Sequence, residues 1–281
     1  MSDDRIAVVG AAGRTGLAIL KALGASGVAP RAVVRRSEQA DAVRAAGAAE
    51  VAIADYTSIE QLTQALTGAD RVVIVPPSYT PEHIYIANAT TAARAAGIGH
   101  VVLHSVLHPH TPTMRHHIRK AVGEAAVRAG GVPWTILQPA MYAQTVLLFE
   151  QMSPPGRLCA PFDIESLFSV IDLDDIAEVT ALVLRDDTHF YGSYELVGNE
   201  PVSCRQMLSV VAGLRGLDAT PETVRPWELN LPDWIAAAMG DFAAMCEEYS
   251  EHGLIGNTNV TRMLLGRKPT SFDEVARRLI T

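Results

Sequence analysis

The fold is decided by the stretch Ile6-Ala-Val-Val-Gly10-Ala-Ala-Gly13-Arg14-Thr15-Gly16 near the start of the 281-residue chain. A short apolar run is followed by three glycines at three-residue spacing and then by a run typical of a helix. In such a unit the first glycine allows a tight turn, the second lets backbone approach a pyrophosphate, and the third allows close helix packing. The helix N-terminus favours an anion. We therefore predict a dinucleotide site at Gly10, Gly13, Arg14, Thr15 and Gly16, with a purely structural glycine turn as the alternative.

Beyond this stretch, the first half of the chain alternates short β-branched runs with Ala-rich runs, as βαβ units around a parallel sheet do. The predicted strands are apolar on both sides of the pleat, which is typical of buried parallel strands. They lie at residues 6–9, 31–34, 51–54, 71–75, 100–104 and 134–137, with helices beginning near residues 15, 38, 59, 82 and 114. The sequence predicts an α/β fold with a doubly wound parallel sheet of the Rossmann type.

The pattern changes after Pro139. Residues 151–166 include a Pro- and Gly-rich stretch and are predicted to form a crossing loop, and two further strands at 167–171 and 194–197 flank a helix at 174–184. From residue 201 the chain is mainly helical and has a bulky apolar character that the Ala-rich first half lacks, with Trp227, Trp234, Met239, Phe242, Met245 and Tyr249. We predict a Rossmann domain over 1–150, with a returning segment at about 167–200, and a smaller, mainly helical substrate lobe over 201–281.

Composition limits the classes of function. The chain has 23 Lys and Arg against 31 Asp and Glu, a net charge of −8, which argues against non-specific nucleic-acid binding. Its three cysteines lack Cys-x-x-Cys spacing, and no apolar run reaches the roughly 18 residues of a membrane helix. The start lacks a signal-peptide pattern. We expect a cytoplasmic protein whose partner is a small molecule or a second copy of itself, without a membrane contact.

The end of the second strand indicates which dinucleotide binds. Proteins specific for NAD carry an acidic residue there, which accepts hydrogen bonds from the adenosine ribose. This chain has Arg35 and Arg36, about 20 residues beyond Gly16. Arginine cannot accept a hydrogen bond but can bind a 2′-phosphate, so NADP(H) is the predicted cofactor. The alternative is that both arginines belong to a solvated loop.

Other cofactor contacts are predicted where later strands end. Asp55 and Tyr56 follow the third strand and either cap the next helix or lie against the adenine. Pro76 and Pro77 follow the fourth strand, where they enter the crevice or merely stop the strand. Pro139, after the sixth strand, leads the chain away from the crevice rim and is included among these contacts.

Five of the nine histidines follow the fifth strand closely, between residues 104 and 117. No carboxylate or cysteine falls at ligand spacing within this segment, so we predict no bound metal. The spacing His116-x-x-x-Lys120-x-x-x-Glu124 places three polar residues on one helix face. That face is either an exposed salt-bridge ladder or part of the site, with Lys120 directed at the nicotinamide ribose.

The combined motifs resemble the NmrA-like family, an atypical branch of the short-chain dehydrogenase/reductase superfamily. The resemblance covers nearly the whole chain. Besides the glycine stretch, it rests on His104-Ser105-Val-Leu-His108-Pro, His116-x-x-x-Lys120-x-x-x-Glu124, Trp134-Thr-Ile-Leu-Gln-Pro139-Ala-Met-Tyr142, Val170-Ile-Asp172-Leu-Asp174-Asp175-Ile-Ala and Leu265-Gly-Arg267-Lys-Pro269-Thr-Ser-Phe272.

The resemblance implies roles for four side chains. In the wider superfamily a Tyr-x-x-x-Lys pair supplies the proton and holds the ribose; Lys120 matches the lysine, whereas His116 stands where tyrosine would be. Ser105 occupies the position of the superfamily's carbonyl-orienting serine, or else simply ends the strand. Tyr142 is a second candidate proton donor or a packing residue. The aspartates at 172, 174 and 175 are expected to cap a helix rather than to act in catalysis.

The predicted function is an NADPH-dependent reductase that transfers hydride to a quinone, a ketone or a conjugated carbonyl compound. The alternative, favoured by the missing tyrosine, is a non-catalytic NADP-sensing redox regulator that acts through a protein partner. A third, weaker hypothesis is non-redox chemistry such as cyclisation or epimerisation.

Overall fold

The computed structural model of the chain describes residues 5–280. The strands are β1 (Ile6–Val9), β2 (Arg31–Val34), β3 (Glu50–Ile53), β4 (Arg71–Ile74), β5 (His100–His104), β6 (Trp134–Pro139), β7 (Leu158–Ala160), β8 (Leu167–Phe168), β9 (Gly192–Leu196), β10 (Val202–Ser203) and β11 (Pro221–Thr223). The helices are α1 (Arg14–Ala25), α2 (Ala40–Ala45), α3 (Ile59–Leu66), α4 (Glu82–Ala95), α5 (Arg115–Ala129), α6 (Ala143–Met152), α7 (Leu173–Val183), α8 (Cys204–Arg215), α9 (Asp233–Ala236), α10 (Met239–His252), α11 (Asn259–Leu265) and α12 (Phe272–Ile280).

Seven strands form one sheet in the order β3-β2-β1-β4-β5-β6-β9. The pairs among β1 to β6 are all parallel, with Val8 of β1 opposite Ala32 of β2 and Val73 of β4. The chain order reverses between β1 and β4, and a doubly wound sheet opens a crevice at the carboxyl ends of its strands at that point. The predicted doubly wound α/β fold is confirmed.

Helices α4 and α5 pack unusually closely, which fixes the helix that carries Lys120. A Cβ added at Gly123 of α5 would lie 2.3 Å from Ile86 Cδ1, and one at Gly130, just after α5, would lie 2.4 Å from Thr90 Cγ2. Both contacts are shorter than the closest approach of carbon atoms in a packed core, so a side chain at either position would force Ile86 or Thr90 to move. Residues on α4 and α5 are therefore close enough to form one buried polar cluster.

The chain divides into two compact units. Among the described residues, the first contains 5–110, His117–Gln138 and Ile176–Tyr194, and includes most of the large sheet. The second contains Thr111–His116, Pro139–Asp175 and 195–280. The predicted domain bounds of 1–150 and 201–281 stay a prediction.

The second unit has an aromatic core and two short sheets. The rings of Phe149, Phe162, Phe168 and Tyr249 contact one another at centroid distances of 4.8 to 6.0 Å. Strand β7 pairs in parallel with β11, and β8 pairs antiparallel with β10.

Three local predictions are corrected by the structure. Strand β3 is not buried on both faces, because it lies at the sheet edge and leaves Ile53 56% exposed. The strand predicted at 167–171 is limited to Leu167–Phe168. The predicted crossing loop contains β7, whose partner β11 lies about 60 residues further on, and local composition does not reveal so distant a pairing.

No helix within residues 5–280 is both long and apolar enough to cross a membrane.

Candidate functional site

The three glycines of the turn after β1 meet different surroundings. Gly10 has φ +85°, and a Cβ there would lie 2.1 Å from the carbonyl oxygen of Val75. A Cβ on Gly16 would lie 2.4 Å from Gly10 O, so the fold itself requires both glycines. Gly13 is exposed, and its Cβ would make only an ordinary contact of 3.5 Å with Gly10 O. At Gly13, therefore, no protein atom requires glycine, and the open position leaves room for a ligand to approach the backbone.

The N-terminus of α1 is suited to an anion. Its N-cap residue, Gly13, supplies no capping side chain, and the first turn contains no acidic residue. Arg14 is the first residue of the helix and is exposed, while Thr15 is buried. The positive end of the helix dipole and the first-turn N–H groups favour a phosphate here. These residues fit the pyrophosphate of a dinucleotide.

The hydroxyl group of Tyr56 stabilises the glycine turn. Its hydroxyl accepts a hydrogen bond from Gly10 N at 2.9 Å and donates one to Val33 O at 3.1 Å. The side chain is buried, and burial raises the pKa of the phenol to about 12. The Tyr56 hydroxyl therefore stabilises the turn through two backbone groups, and contact of Tyr56 with the adenine stays a prediction.

The residues predicted to select the nucleotide are exposed. Arg35 and Arg36 follow β2 directly, and both side chains face solvent. Asp55 is also exposed; its carboxylate accepts hydrogen bonds from the backbone and hydroxyl of Thr57, which lower its pKa, and the charge of Arg35 lowers it further. The next helix is capped by Ser58, which accepts from Gln61 N, so Asp55 is not the cap of α3.

The loop after β4 begins beside the glycine turn, since Val75 O contacts Gly10. Pro76 is buried and Pro77 half-buried. Tyr79 has a left-handed backbone with φ +58°, and its N–H donates to Glu82 Oε1 at 2.8 Å. The predicted cofactor residues Pro76 and Pro77 thus precede a tight turn that Glu82 holds.

Lys120 is buried on α5, and its Nζ donates to His104 O at 3.5 Å. Burial lowers the pKa of the ammonium to about 8, although the charges of Glu82 and Glu124 oppose the shift. His116, Lys120 and Glu124 are all buried. The alternative of an exposed salt-bridge ladder is therefore wrong.

Glu124 is fully buried and accepts hydrogen bonds from three side chains. Its Oε1 accepts from Ser105 Oγ at 2.5 Å and from Gln138 Nε2 at 2.8 Å, while Oε2 accepts from Arg128 at 3.0 Å. Since every neighbour donates, the group is a carboxylate. The single hydroxyl proton of Ser105 points to Glu124, so Ser105 offers lone pairs to any other group. The role expected of Ser105 is to orient a substrate carbonyl, which requires its hydroxyl to donate to the carbonyl oxygen. In this structure the hydroxyl donates to Glu124 instead.

His104 is neutral and has a defined tautomer. Thr180 donates its hydroxyl proton to Ile176 O at 2.7 Å and must therefore accept from His104 Nε2–H, 2.9 Å away. Burial lowers the pKa of the imidazole to about 3, and the charge of Lys120 contributes. His104 is thus an uncharged structural residue. No group of three His, Cys, Asp or Glu side chains within residues 5–280 is arranged to hold a metal ion.

Three predicted site residues belong to the second unit. His116 lies in the first turn of α5, Pro139 is buried at the end of β6, and Tyr142 is half-buried where α6 begins. The backbone of Tyr142 forms a bridge with Ile171. Proton donation by His116 or Tyr142 and cofactor contact by Pro139 stay predictions.

Glu82, Arg119 and Gln138 were not singled out from the sequence. Glu82 follows Pro81 at the start of a helix, where acidic residues are common, and Gln138 is one residue of a strand. Neither position has a sequence pattern that distinguishes it. Their importance comes from the packing of α4, α5 and β6, which brings distant polar groups together.

A parallel sheet with an open glycine turn at its switch point defines a dinucleotide-binding protein of the Rossmann class. The profile of the NmrA-like family matches residues 2–276, and the chain belongs to that family.

The relatives include an NAD(P)H azoreductase of Xenophilus azovorans, 28% identical over 284 residues that cover 97% of this chain and 96% of that protein. Two solved structures have the same fold. An NADPH-dependent quinone oxidoreductase from Escherichia coli, complexed with NADPH, is 23% identical with a TM-score of 0.83 and covers 98% of this chain and 100% of its own. A Citrobacter sp. triphenylmethane reductase, complexed with NADP(H), is 22% identical with a TM-score of 0.82 and covers 97% and 99%.

Proposed function

We propose that this protein is an NADPH-dependent reductase that transfers hydride to quinones or to dye-like conjugated acceptors. The observation that carries the proposal is Gly13, an exposed glycine whose missing side chain no protein atom requires. The family and the activities of the azoreductase, quinone oxidoreductase and triphenylmethane reductase relatives support it.

Each part of the cofactor has candidate partners in this chain. The turn from Gly10 to Gly16 would hold the pyrophosphate, Arg35 and Arg36 would bind the 2′-phosphate, and Lys120 would hydrogen-bond the nicotinamide ribose. NADPH, when bound, supplies the hydride. A buried ammonium makes strong hydrogen bonds to hydroxyl groups because water does not compete for it.

The state of Ser105 favours particular acceptors. A simple ketone needs a hydrogen bond that orients and polarises its oxygen as hydride arrives, and the Ser105 proton that would provide it is directed to Glu124. A quinone gives a stabilised anion on hydride addition and can take its proton afterwards from solvent. His116 and Tyr142 are the proposed proton donors within the chain. This chemistry favours electron-poor conjugated acceptors over simple ketones.

The test compares Gly13→Ala with Gly16→Ala and measures NADPH affinity beside the free energy of unfolding. Gly13→Ala should fold normally and weaken NADPH binding by about tenfold or more, which is about 1.4 kcal/mol. Gly16→Ala should lose stability, because its Cβ would overlap backbone. In addition, Arg35→Asp should lower the preference for NADPH over NADH by about tenfold or more.

Turnover separates the reductase from the alternative, a redox sensor. The wild-type protein should oxidise NADPH in the presence of a quinone or an azo dye and should do so more slowly with simple ketones. If it binds NADPH but oxidises none across that panel, the reductase proposal is overturned and the sensor is favoured.

A further inference from the structure

Glu82 is a buried carboxylate that the proposed reaction does not use. It lies in the first turn of α4 and is 0% exposed. Its Oε1 accepts from Tyr79 N at 2.8 Å, and its Oε2 accepts from Arg119 Nε of α5 at 2.5 Å. The two oxygens of one carboxylate therefore hold two different elements, the loop after β4 and the helix α5.

The loop needs such support. Tyr79 adopts φ +58°, a conformation that side-chain-bearing residues rarely take and that costs about 1 to 3 kcal/mol. Its N–H is satisfied by Glu82, and the Thr80 hydroxyl donates to Pro77 O at 2.7 Å within the same turn. The turn follows Pro76 and Pro77, beside the glycine turn. Glu82 thus determines the conformation of the loop where the cofactor is proposed to lie.

The same carboxylate acts on Lys120, which follows Arg119 in α5. The charges of Glu82 from α4 and Glu124 from α5 act on the Lys120 ammonium, and the backbone carbonyl of His104 in β5 accepts from its Nζ; the buried His116 lies one turn earlier in α5. Burial disfavours the ammonium, and of the two opposing charges Glu82 has the larger effect. Without that charge, deprotonation of Lys120 would begin at a lower pH.

We propose that Glu82 is a positioning residue: its two carboxylate oxygens tie the loop after β4 to Arg119 of α5, the residue next to Lys120, and so place a negative charge beside the turn that carries Lys120. Only the link from Lys120 to the ribose rests on the proposed function. The consequence is a pH limit on cofactor binding, since a neutral amine is a weaker donor to the ribose hydroxyls than an ammonium. NADPH affinity should fall as pH rises through the Lys120 pKa.

The composition of the chain makes a direct measurement feasible. Only three lysines are present, Lys21, Lys120 and Lys268, and the first and last are exposed. A titration of protein labelled with [13Cε]lysine therefore contains three side-chain signals, and Lys120→Arg assigns the third. In wild type we expect a Lys120 midpoint near pH 8.

Glu82→Gln keeps an oxygen acceptor for Tyr79 N but removes the charge. We expect the Lys120 midpoint to fall by about one pH unit, as loss of a nearby buried charge predicts. Glu222→Gln is the matched control, because Glu222 also accepts from an arginine, Arg157 at 2.6 Å, but belongs to the second unit. It should leave the midpoint unchanged. An unchanged midpoint in Glu82→Gln would overturn the proposal.

Arg119→Gln is a second variant, which should shift the Lys120 midpoint in the opposite direction. It removes the cation paired with Glu82, so the Glu82 charge is no longer offset and the Lys120 midpoint should rise; a fall would contradict the proposed charge balance. For the loop, hydrogen exchange at the Tyr79 amide should accelerate in Glu82→Ala but stay slow in Glu82→Gln. Equal exchange in wild type and Glu82→Ala would overturn the tie between loop and helix.

NADPH titration completes the test. If Glu82→Gln loses affinity at a lower pH than wild type does, the coupling of Glu82 to cofactor binding is supported; if both proteins lose affinity at the same pH, it is overturned. If wild type binds no NADPH at any pH, the proposed function fails, while the lysine titration still decides the role of Glu82.

Discussion

Two buried charge clusters, one in each unit, use similar residues in different ways. The lysine cluster of the first unit comprises Glu82, Arg119, Lys120, Glu124 and Arg128. The C-terminal cluster of the second unit comprises Asp172, Asp175, Arg267, Thr270 and Arg278. Each has two carboxylates that are almost completely buried.

The difference is the kind of cation. In the C-terminal cluster, Arg278 donates to both oxygens of Asp172 at 2.8 and 2.9 Å, and Arg267 donates to Asp175 at 2.8 Å. A guanidinium stays charged at any ordinary pH, so this cluster is static. The lysine cluster contains an ammonium whose pKa is lowered to about 8 by burial. Buried charge alone therefore does not distinguish a functional site from a structural one; what separates the two clusters is that the lysine cluster contains a group able to change its charge.

The C-terminal cluster also explains two of the motifs behind the family resemblance. Asp175 accepts from the backbone and hydroxyl of Thr270, and so ties the stretch beginning at Val170 to the one beginning at Leu265. Asp172 does accept from Asp174 N at 3.3 Å, as a helix cap would, but its shorter bonds are to Arg278 and Gln144. These aspartates anchor the C-terminal segment.

The largest expected effect is at Asp175. Asp175→Ala removes a buried carboxylate and leaves Arg267 and Thr270 without their acceptor, which should cost about 3 kcal/mol of unfolding free energy. Urea unfolding measures the loss. NADPH affinity of the remaining folded protein should equal that of wild type, and a selective loss of affinity would contradict the static role of this cluster.

Lys120→Met should have the opposite effect on stability. The folded-state pKa of Lys120, about 8, is below its ordinary value of 10.5, so protonation opposes folding. In wild type this cost is present below pH 8 and is relieved as pH rises towards 10.5. We expect Lys120→Met to be more stable than wild type by about 1 to 3 kcal/mol at pH 7, with the difference shrinking by pH 10.

NADPH binding should weaken in the same Lys120→Met protein. Calorimetric titration at pH 7 tests this, and Lys21→Met, which removes an exposed lysine, is the control. A variant that loses stability and keeps full affinity would show that Lys120 is an ordinary structural residue.

The sequence predicted features built from neighbouring residues better than those in which residues far apart in the chain come together. The glycine turn could be recognised because strand, turn and helix follow one another in a few residues. For Lys120, spacing left a buried and an exposed helix face as alternatives, and the structure shows that the face is buried. The support that Tyr56 gives to Gly10 spans 46 residues, and no local pattern indicates it. The direction of the Ser105 proton depends on Glu124, which reaches it only through the packing of α5. Spacing placed Glu124 on the correct face of the helix but did not reveal its partners.

The smallest expected effects come from replacing one arginine of each cluster with lysine. In Arg278 a single nitrogen, Nη2, donates to both oxygens of Asp172. Arg278→Lys keeps the charge, but its shorter side chain must move to reach them, so we expect a cost of about 1 kcal/mol in unfolding free energy and no change in turnover. Arg128 donates to Glu124 and to Ser193, and its guanidinium lies 5.2 Å from the centroid of the Trp134 ring. Arg128→Lys should cost a similar amount of stability.

The two variants should differ in activity. Lysine at position 128 cannot reproduce these contacts at once, so Glu124 shifts and with it the hydroxyl of Ser105. We expect kcat/KM for quinone reduction to fall several-fold in Arg128→Lys at unchanged pH, while Arg278→Lys retains the wild-type value. Equal kcat/KM in the two variants would mean that Glu124 holds its position without Arg128, and that the lysine cluster is as static as the C-terminal cluster at this residue.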